Sequence, residues 1–336
     1  MNCKRVYGGI VWLFILLLFM SCGKRMNKDI QVQYKFTFPI DTVLDIKEYA
    51  TTEPLGNSAI KLLKNRILVF CDYNMVDIYS YPELRFIRKQ QMPHFYSENI
   101  IDEKLYVEKQ GKISVYTING QDSLCEDKSA AFRVGMFPFS IFSLHQLDED
   151  SYVYPDMYDF KGMHEFYIVN MKNGKTIGKG TYPEGSNRFK SLRDFKLAYA
   201  HKIALKPDKT ALALAYYNFR LVRIYDAVGV LKYDVFIDCP PGNYKTIPEE
   251  HSSQYVQTRA ICTTDKHIYI ANPEQRIDAP VPHCNILVMD WKGNLVARYR
   301  LDAFVYDFFV DETRKQIFGI CARDSKVTFF SFNILN

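Results

Sequence analysis

Six times along the chain a short polar turn is followed by an apolar run of strand length and then by a second such run that closes on another turn. The turns open at Asn65-Arg66, Glu103-Lys104, Glu149-Asp150, Lys209-Thr210, Lys266-His267 and Lys315-Gln316, and the runs behind them read ILVF, LYVE, SYVY, ALALA, IYIA and IFGI. Each is answered by a further strand around Tyr79, Tyr116, Val169, Tyr225, Met289 and Phe330, several of them ending near Gly120, Gly174, Gly229 or Gly293. Apolar runs bounded by turn residues mark strands. Radially repeated sheets bury one another's faces and protect their edges, so the pattern predicts an all-β chain, a six-bladed β-propeller of four-stranded antiparallel blades. A strand-like alternation from Gln31 to Phe38 precedes the first unit, and the last unit stops at Asn336 soon after its second or third strand. The N-terminal strand is therefore expected to complete the final blade and close the ring.

The start of the chain carries an address. Lys4 and Arg5 precede an apolar run from Ile10 to Met20, which ends in Phe19-Met20-Ser21-Cys22-Gly23. A basic region, a short apolar region and small residues form a secretory signal, and a confident membrane span needs about 20 apolar residues. Ser21-Cys22-Gly23 resembles a bacterial lipoprotein box, with Phe19 bulkier than the strict pattern, a looseness familiar in the Bacteroidetes. That resemblance implies acylation of Cys22. Gly23, Lys24, Arg25, Met26, Asn27 and Lys28 lack the acidic cluster of a surface-export signal, which points to the periplasmic side of the outer membrane. The expected organisation is a signal peptide over 1–21, a tether over 22–30 and the propeller over 31–336, at about 52 residues per blade.

Composition narrows the partners. The formal charge of +5 includes the basic residues of the leader and tether, so the remainder is nearly neutral and shows no basic stripe for nucleic acid. Aromatic residues make up 15%, as 24 Tyr, 24 Phe and 2 Trp, and most suit packing between blades. Of eight cysteines, Cys3 leaves with the signal and Cys22 would carry lipid. Cys71, Cys125, Cys239, Cys262, Cys284 and Cys321 remain, an even number that permits three disulfides in about 15 connectivities. Cys71 and Cys321 fall within strands, where a buried thiol behaves as a small hydrophobe. No CxxC or Cys/His ligand spacing is present, so neither metal nor cofactor is expected.

The sharpest motif is Lys206-Pro207-Asp208-Lys209-Thr210 ahead of Ala211-Leu212-Ala213-Leu214-Ala215. It resembles the turn-plus-strand element of TolB and WD-type propellers, with Lys209 where a glycine is usual. Asp311 to Phe318, Thr264 to Tyr269 and Ile101 to Tyr106 repeat it without proline. From Tyr34 to Asn336 the chain resembles the TolB-like six-bladed propeller family of Bacteroidetes lipoproteins. The resemblance implies an exported scaffold.

Function in a propeller resides in its inserted loops. The longest run from Phe236 to Gln257 and from Gly178 to Phe195, each joining one blade's outer strand to the next blade's inner strand. A third, Asn272 to Cys284, lies between strands of the fifth unit, and all three are expected on the same face. His164, His251, His283, Asp156, Asp159, Glu249 and Glu250 offer acid–base or metal chemistry, yet no catalytic motif frames them and solvated loop positions account for them equally. Tyr158, Phe160, Tyr216, Tyr217, Phe219 and Tyr244 suit recognition of a protein or glycan, or packing of long loops. Arg220, Arg259 and Arg323 suit an anionic ligand, or carboxylates bridging blades. The expected ligand-binding set is Tyr158, Tyr217, Tyr244, Arg259, His283 and Arg323. The expected role is a noncatalytic binding or assembly lipoprotein, joined to the membrane by its N-terminal lipid and meeting an envelope protein or glycan. The alternative is a propeller-type lactonase, lyase or glycan hydrolase with acidic and histidine residues at the channel mouth.

Overall fold

The computed structural model describes residues 30–51, 55, 59–72, 74–95, 97–109, 112–133, 144–156, 162–183, 189–238, 255–276, 283–324 and 326–335. Six antiparallel sheets follow in chain order. Blade I comprises Ala59–Leu63, Arg66–Asp72, Met75–Ser80 and Phe86–Gln91. Blade II comprises Ser97–Ile101, Lys104–Lys109, Lys112–Ile118 and Leu124–Glu126, with Phe132–Arg133 pairing its third strand. Blade III comprises His145–Gln146, Ser151–Pro155, Phe166–Asn170 and Thr176–Lys179. Blade IV comprises His201–Leu205, Ala211–Tyr216, Leu221–Asp226 and Leu231–Ile237, and blade V comprises Ala260–Thr263, His267–Asn272, Cys284–Asp290 and Leu295–Leu301. Blade VI comprises Phe304–Asp311, Gln316–Arg323 and Lys326–Asn333, completed by Lys47–Tyr49. The six polar turns of the sequence each introduce a second strand.

These strands form because both faces of each blade are buried. In Arg66–Asp72, Ile67 and Val69 pack toward blade VI with Phe318 and Phe329, while Leu68 and Phe70 pack toward blade II with Leu105 and Val107. The run ILVF is thus continuous rather than alternating, as expected for a strand covered on both sides. Comparable clusters fill the other interfaces, such as Val153, Phe166, Leu212 and Tyr225 between blades III and IV. The turn at Lys209 takes φ +62°, the left-handed conformation that suits the glycine usual in the motif. Its neighbour Asp208 stabilises the turn by accepting from Thr210 N at 2.9 Å.

The N-terminal segment closes the ring differently from the expectation. The alternating stretch forms Gln31–Lys35, which lies against the outer strand of blade IV, and Ile40–Val43 then pairs in parallel with Leu295–Leu301 of blade V. Only the third piece, Lys47–Tyr49, enters blade VI. The apolar side chains explain the early docking: Tyr34 stacks on Phe236 at 5.1 Å, and Phe38 is buried in the interface cluster of blades IV and V. The segment therefore straps three consecutive outer edges before it reaches blade I.

The expected loop from Gly178 to Phe195 overlaps regular elements at both of its ends. It begins inside the fourth strand of blade III and ends in helix α1, Leu192–Ala198. Ser191 caps this helix by accepting from Asp194 N at 3.1 Å, and Phe195 and Ala198 turn into a cluster with Tyr182, Tyr199 and Phe219. Among the described residues no helix is long and apolar enough to cross a membrane.

Candidate functional site at the mouth of the central bore

The first strands of the six blades are neighbours of one another around the axis and line a bore. Blades I, II, III, IV and VI each place an ionisable residue there: Lys61, Glu98, His145, Lys202 and Asp307, with Cys262 from blade V and Arg259 just before its first strand. Lys61 Nζ donates to Asp307 Oδ2 at 2.9 Å, and the same oxygen accepts from Ile60 N at 3.0 Å. A β-bulge between Val305 and Asp307 breaks the register of blade VI and turns Asp307 toward Lys61. Gly319 makes room for it, since a Cβ there would lie 2.5 Å from the Asp307 carbonyl oxygen.

These groups keep contact with solvent while protein surrounds them, and their ionisation reflects it. Burial pulls the Lys61 ammonium down, but the Asp307 carboxylate beside it outweighs burial and leaves its pKa raised. Burial pushes Glu98 up to about 7 against the attraction of Lys61 and Lys202. Burial lowers Lys202 against the attraction of Asp307 and Glu98, and Arg259 and Lys61 add repulsion. His145 is lowered to about 4 by burial, and its Nε2 lies 3.0 Å from the Ile203 carbonyl oxygen. The bore thus sets the basic side chains Lys61, Lys202 and Arg259 against the carboxyl groups of Asp307 and Glu98.

One end of the bore is framed by the loops that enter first strands and leave second strands. Here the two insertions around blade V meet in a short ladder, Tyr255 opposite Arg276 and Val256 opposite Gln275. Gln257 N donates to the Tyr217 carbonyl at 2.7 Å, and Gln257 Oε1 accepts from Arg220 Nε at 3.1 Å and from Asn272 Nδ2 at 3.0 Å. Arg220 also pairs with Glu274 and, at 3.8 Å, with Asp238. The described ends of the connections from blades IV and V are thereby joined into one platform.

By their places in the strand order, Tyr217, Arg259, His283 and Arg323 all lie at this end. Tyr217 and His283 are half-buried. Arg323 is held by Asp302 at 3.0 Å and Glu48 at 3.4 Å. Arg259 differs: its guanidinium sits 5.8 Å from the centre of the Tyr306 ring, and its Nε is buried without a hydrogen-bond partner among the described residues. Tyr158, Tyr244 and Cys22 fall outside the described residues, as do Phe160, His251, Asp159, Glu249 and Glu250. Tyr216 and Phe219 are buried and stacked at 4.5 Å, which makes them packing residues. His164 packs edge-on against Tyr167 at 5.7 Å.

Asp156, a candidate for acid–base chemistry, is instead part of a buried polar network between blades III and IV. Its Oδ2 accepts from Lys196 Nζ of α1 at 2.9 Å, with both side chains almost fully buried. Next to this pair Glu165 accepts from the hydroxyls of Tyr216 and Tyr225 and from Arg223 Nη1 at 3.0 Å. Arg223 in turn donates to Asp234 at 3.1 Å and to the Thr181 carbonyl at 2.5 Å. Burial beside Glu165 raises both tyrosines well above their usual range, so they stay protonated donors.

The bore was missed from the sequence because its signal is a lone charge inside several inner strands, as in AIKLL, SENII and HKIAL, and such a charge reads as a solvent-facing position until the strands are known to ring an axis. Among the described residues no group of three or more His, Cys, Asp or Glu is placed to hold a metal ion. Cys71, Cys125, Cys262, Cys284 and Cys321 are free thiols, so the permitted disulfides do not form among them. Burial raises Cys284 to about 12 and Cys321 to about 11, which keeps both as inert packing groups.

A sequence model of the TolB-like 6-blade propeller-like family matches residues 59–313. The chain belongs to this family. The TolB-like match spans all of blades I to V and enters blade VI, so the N-terminal strap lies before it. Solved propellers align at 9% identity: the Cps50 (Swd1) β-propeller domain of Myceliophteria thermophila aligns over 86% of this chain and 100% of its own at a TM-score of 0.46. BamB from Moraxella catarrhalis aligns over 82% of this chain and 70% of its own, also at 9% identity, at a TM-score of 0.39. No curated protein matches significantly.

Proposed function

We propose that this TolB-like propeller is a lipid-anchored binding or assembly module of the cell envelope, which holds an envelope protein or glycan at the mouth of its bore without transforming it. The stitched platform carries this reading: Gln257, Arg220, Glu274 and Asn272 fix the loops around Tyr217 and Arg259 before any partner arrives. A surface ordered in advance loses less entropy on association, which favours affinity from a modest contact area. Acylation of Cys22 would hold the propeller at the outer membrane, facing the periplasm.

A photo-crosslinking residue placed at position 217 in cells tests the reading. It should give a discrete adduct that the same residue at position 228 does not give, because Val228 is exposed on a turn at the opposite end. Equal labelling from both positions, or none from 217, defeats the proposal.

Glu98 favours a second reading, since a carboxyl group raised to about 7 beside two lysines suits general acid–base work. An enzyme of the lactonase, lyase or glycan hydrolase type would lose turnover in Glu98→Gln. A screen of the full chain against lactones and glycans that finds no turnover removes that reading.

A further inference from the structure

Three arginines were candidates for an anionic ligand, and the fold uses two of them internally. Arg220 faces Glu274 and Asp238, and Arg323 faces Glu48 and Asp302. Among the described residues Arg259 forms no ion pair with a carboxylate, rests over the Tyr306 ring and leaves Nε buried without an acceptor. Lys202 lies just inside the same mouth, exposed to the bore, and makes neither an ion pair nor a hydrogen bond with a described residue. The two cations repel each other. Asp307 and, more weakly, Glu98 offset part of this repulsion from a distance without bonding to either cation, and an incoming anion would relieve the remainder.

We propose that the bore mouth is an oxyanion site, in which the Lys202 ammonium and the Arg259 guanidinium together take a carboxylate or phosphate group presented by the partner, with the Lys61–Asp307 pair as its floor. The proposal deepens the binding-module reading and rests on it. A guanidinium presents a planar fork to two oxygens, and an ammonium adds a point charge from the side. The aromatic face of Tyr306 beneath Arg259 holds the guanidinium without occupying its donors.

Glu98 tunes this site. Lys61 from blade I, Lys202 from blade IV and Asp307 from blade VI act on it across the bore, with His145 of blade III and Arg259 and Cys262 of blade V in the same ring of inner strands, and its carboxyl is not hydrogen-bonded to another described side chain. As Glu98 takes up a proton the bore gains one positive charge, so anion affinity rises as pH falls through about 7.

Calorimetric titration of the detergent-solubilised full chain with acetate and with sulfate decides the matter, since neither anion titrates between pH 6 and 8. Acetate stands for a carboxylate and sulfate for a phosphate ester, and saturable binding of either one identifies the source. Lys202→Met and Arg259→Met should each weaken binding by roughly ten-fold or more. Wild type should bind more tightly at pH 6 than at pH 8, whereas Glu98→Gln should bind tightly at both, a gain that misfolding does not produce. No saturable binding of either anion to wild type, or unchanged binding in both cation variants, overturns the oxyanion site. That outcome leaves the adduct at position 217 untouched, while anion binding without that adduct counts against the partner reading alone.

Discussion

At the scale of single residues, the bore sets two neighbours titrating in opposition. Glu98 has a folded pKa of about 7, above its ordinary value of 4.5, so its contribution to stability is fully present below 4.5 and is lost as pH rises through 7. His145, lowered to about 4 from 6.5, contributes stability above 6.5 that is lost as pH falls through 4. Glu98→Gln should therefore unfold at the same temperature as wild type near pH 4 and a few degrees higher at pH 8, read by circular dichroism. A midpoint unchanged at pH 8 would mean that Glu98 is not held near neutrality. The buried network offers a harsher test. Arg223→Met leaves Glu165 and Asp234 buried without their cation, which costs about 3–5 kcal/mol. Chemical denaturation should show that loss, and Glu165→Gln added to it should recover part.

At the scale of elements, the strap over residues 31–49 divides its labour. Its first two strands cover outer edges of blades that already hold four strands, and the ion pairs of Asp41 with Arg298 and Arg300 are solvent-exposed and weak. Lys47–Tyr49 instead supplies the missing fourth strand of blade VI and carries Tyr49 to Phe318 and Ser331. Removal of the chain through Leu44 should lower the thermal midpoint modestly by taking Tyr34 off Phe236 and Phe38 out of the cluster between blades IV and V. Removal through Tyr49 should open blade VI and expose Lys326–Asn333 to proteolysis. Equal protease resistance of the two truncations would show that ring closure does not depend on Lys47–Tyr49.

At the scale of the whole molecule, one face gathers the platform and the bore mouth while among the described residues the opposite face carries short turns such as that at Val228. Under the proposed role, acylation of Cys22 would let a tethered propeller turn that face toward its partner. Radiolabelled palmitate should enter the wild-type chain and not Cys22→Ala. Equal labelling of the two would remove the anchor from the proposed role.

The sequence by itself determined the blade count and the place of every second and third strand, because polar turns and apolar runs are local signals set by backbone and burial preference. It also marked the end of the propeller where Tyr217, Arg259, His283 and Arg323 lie, since strand order alone assigns loops to faces. Only the tertiary structure decided which charges meet. Lys61 and Asp307 stand 246 residues apart, and their pairing depends on a bulge in blade VI and on Gly319 behind it. Tertiary packing likewise assigned Asp156 to Lys196, Arg220 to Glu274 and the first strap strand to blade IV. Partners of this kind are set by closure of the ring, a property that no window of neighbouring residues contains.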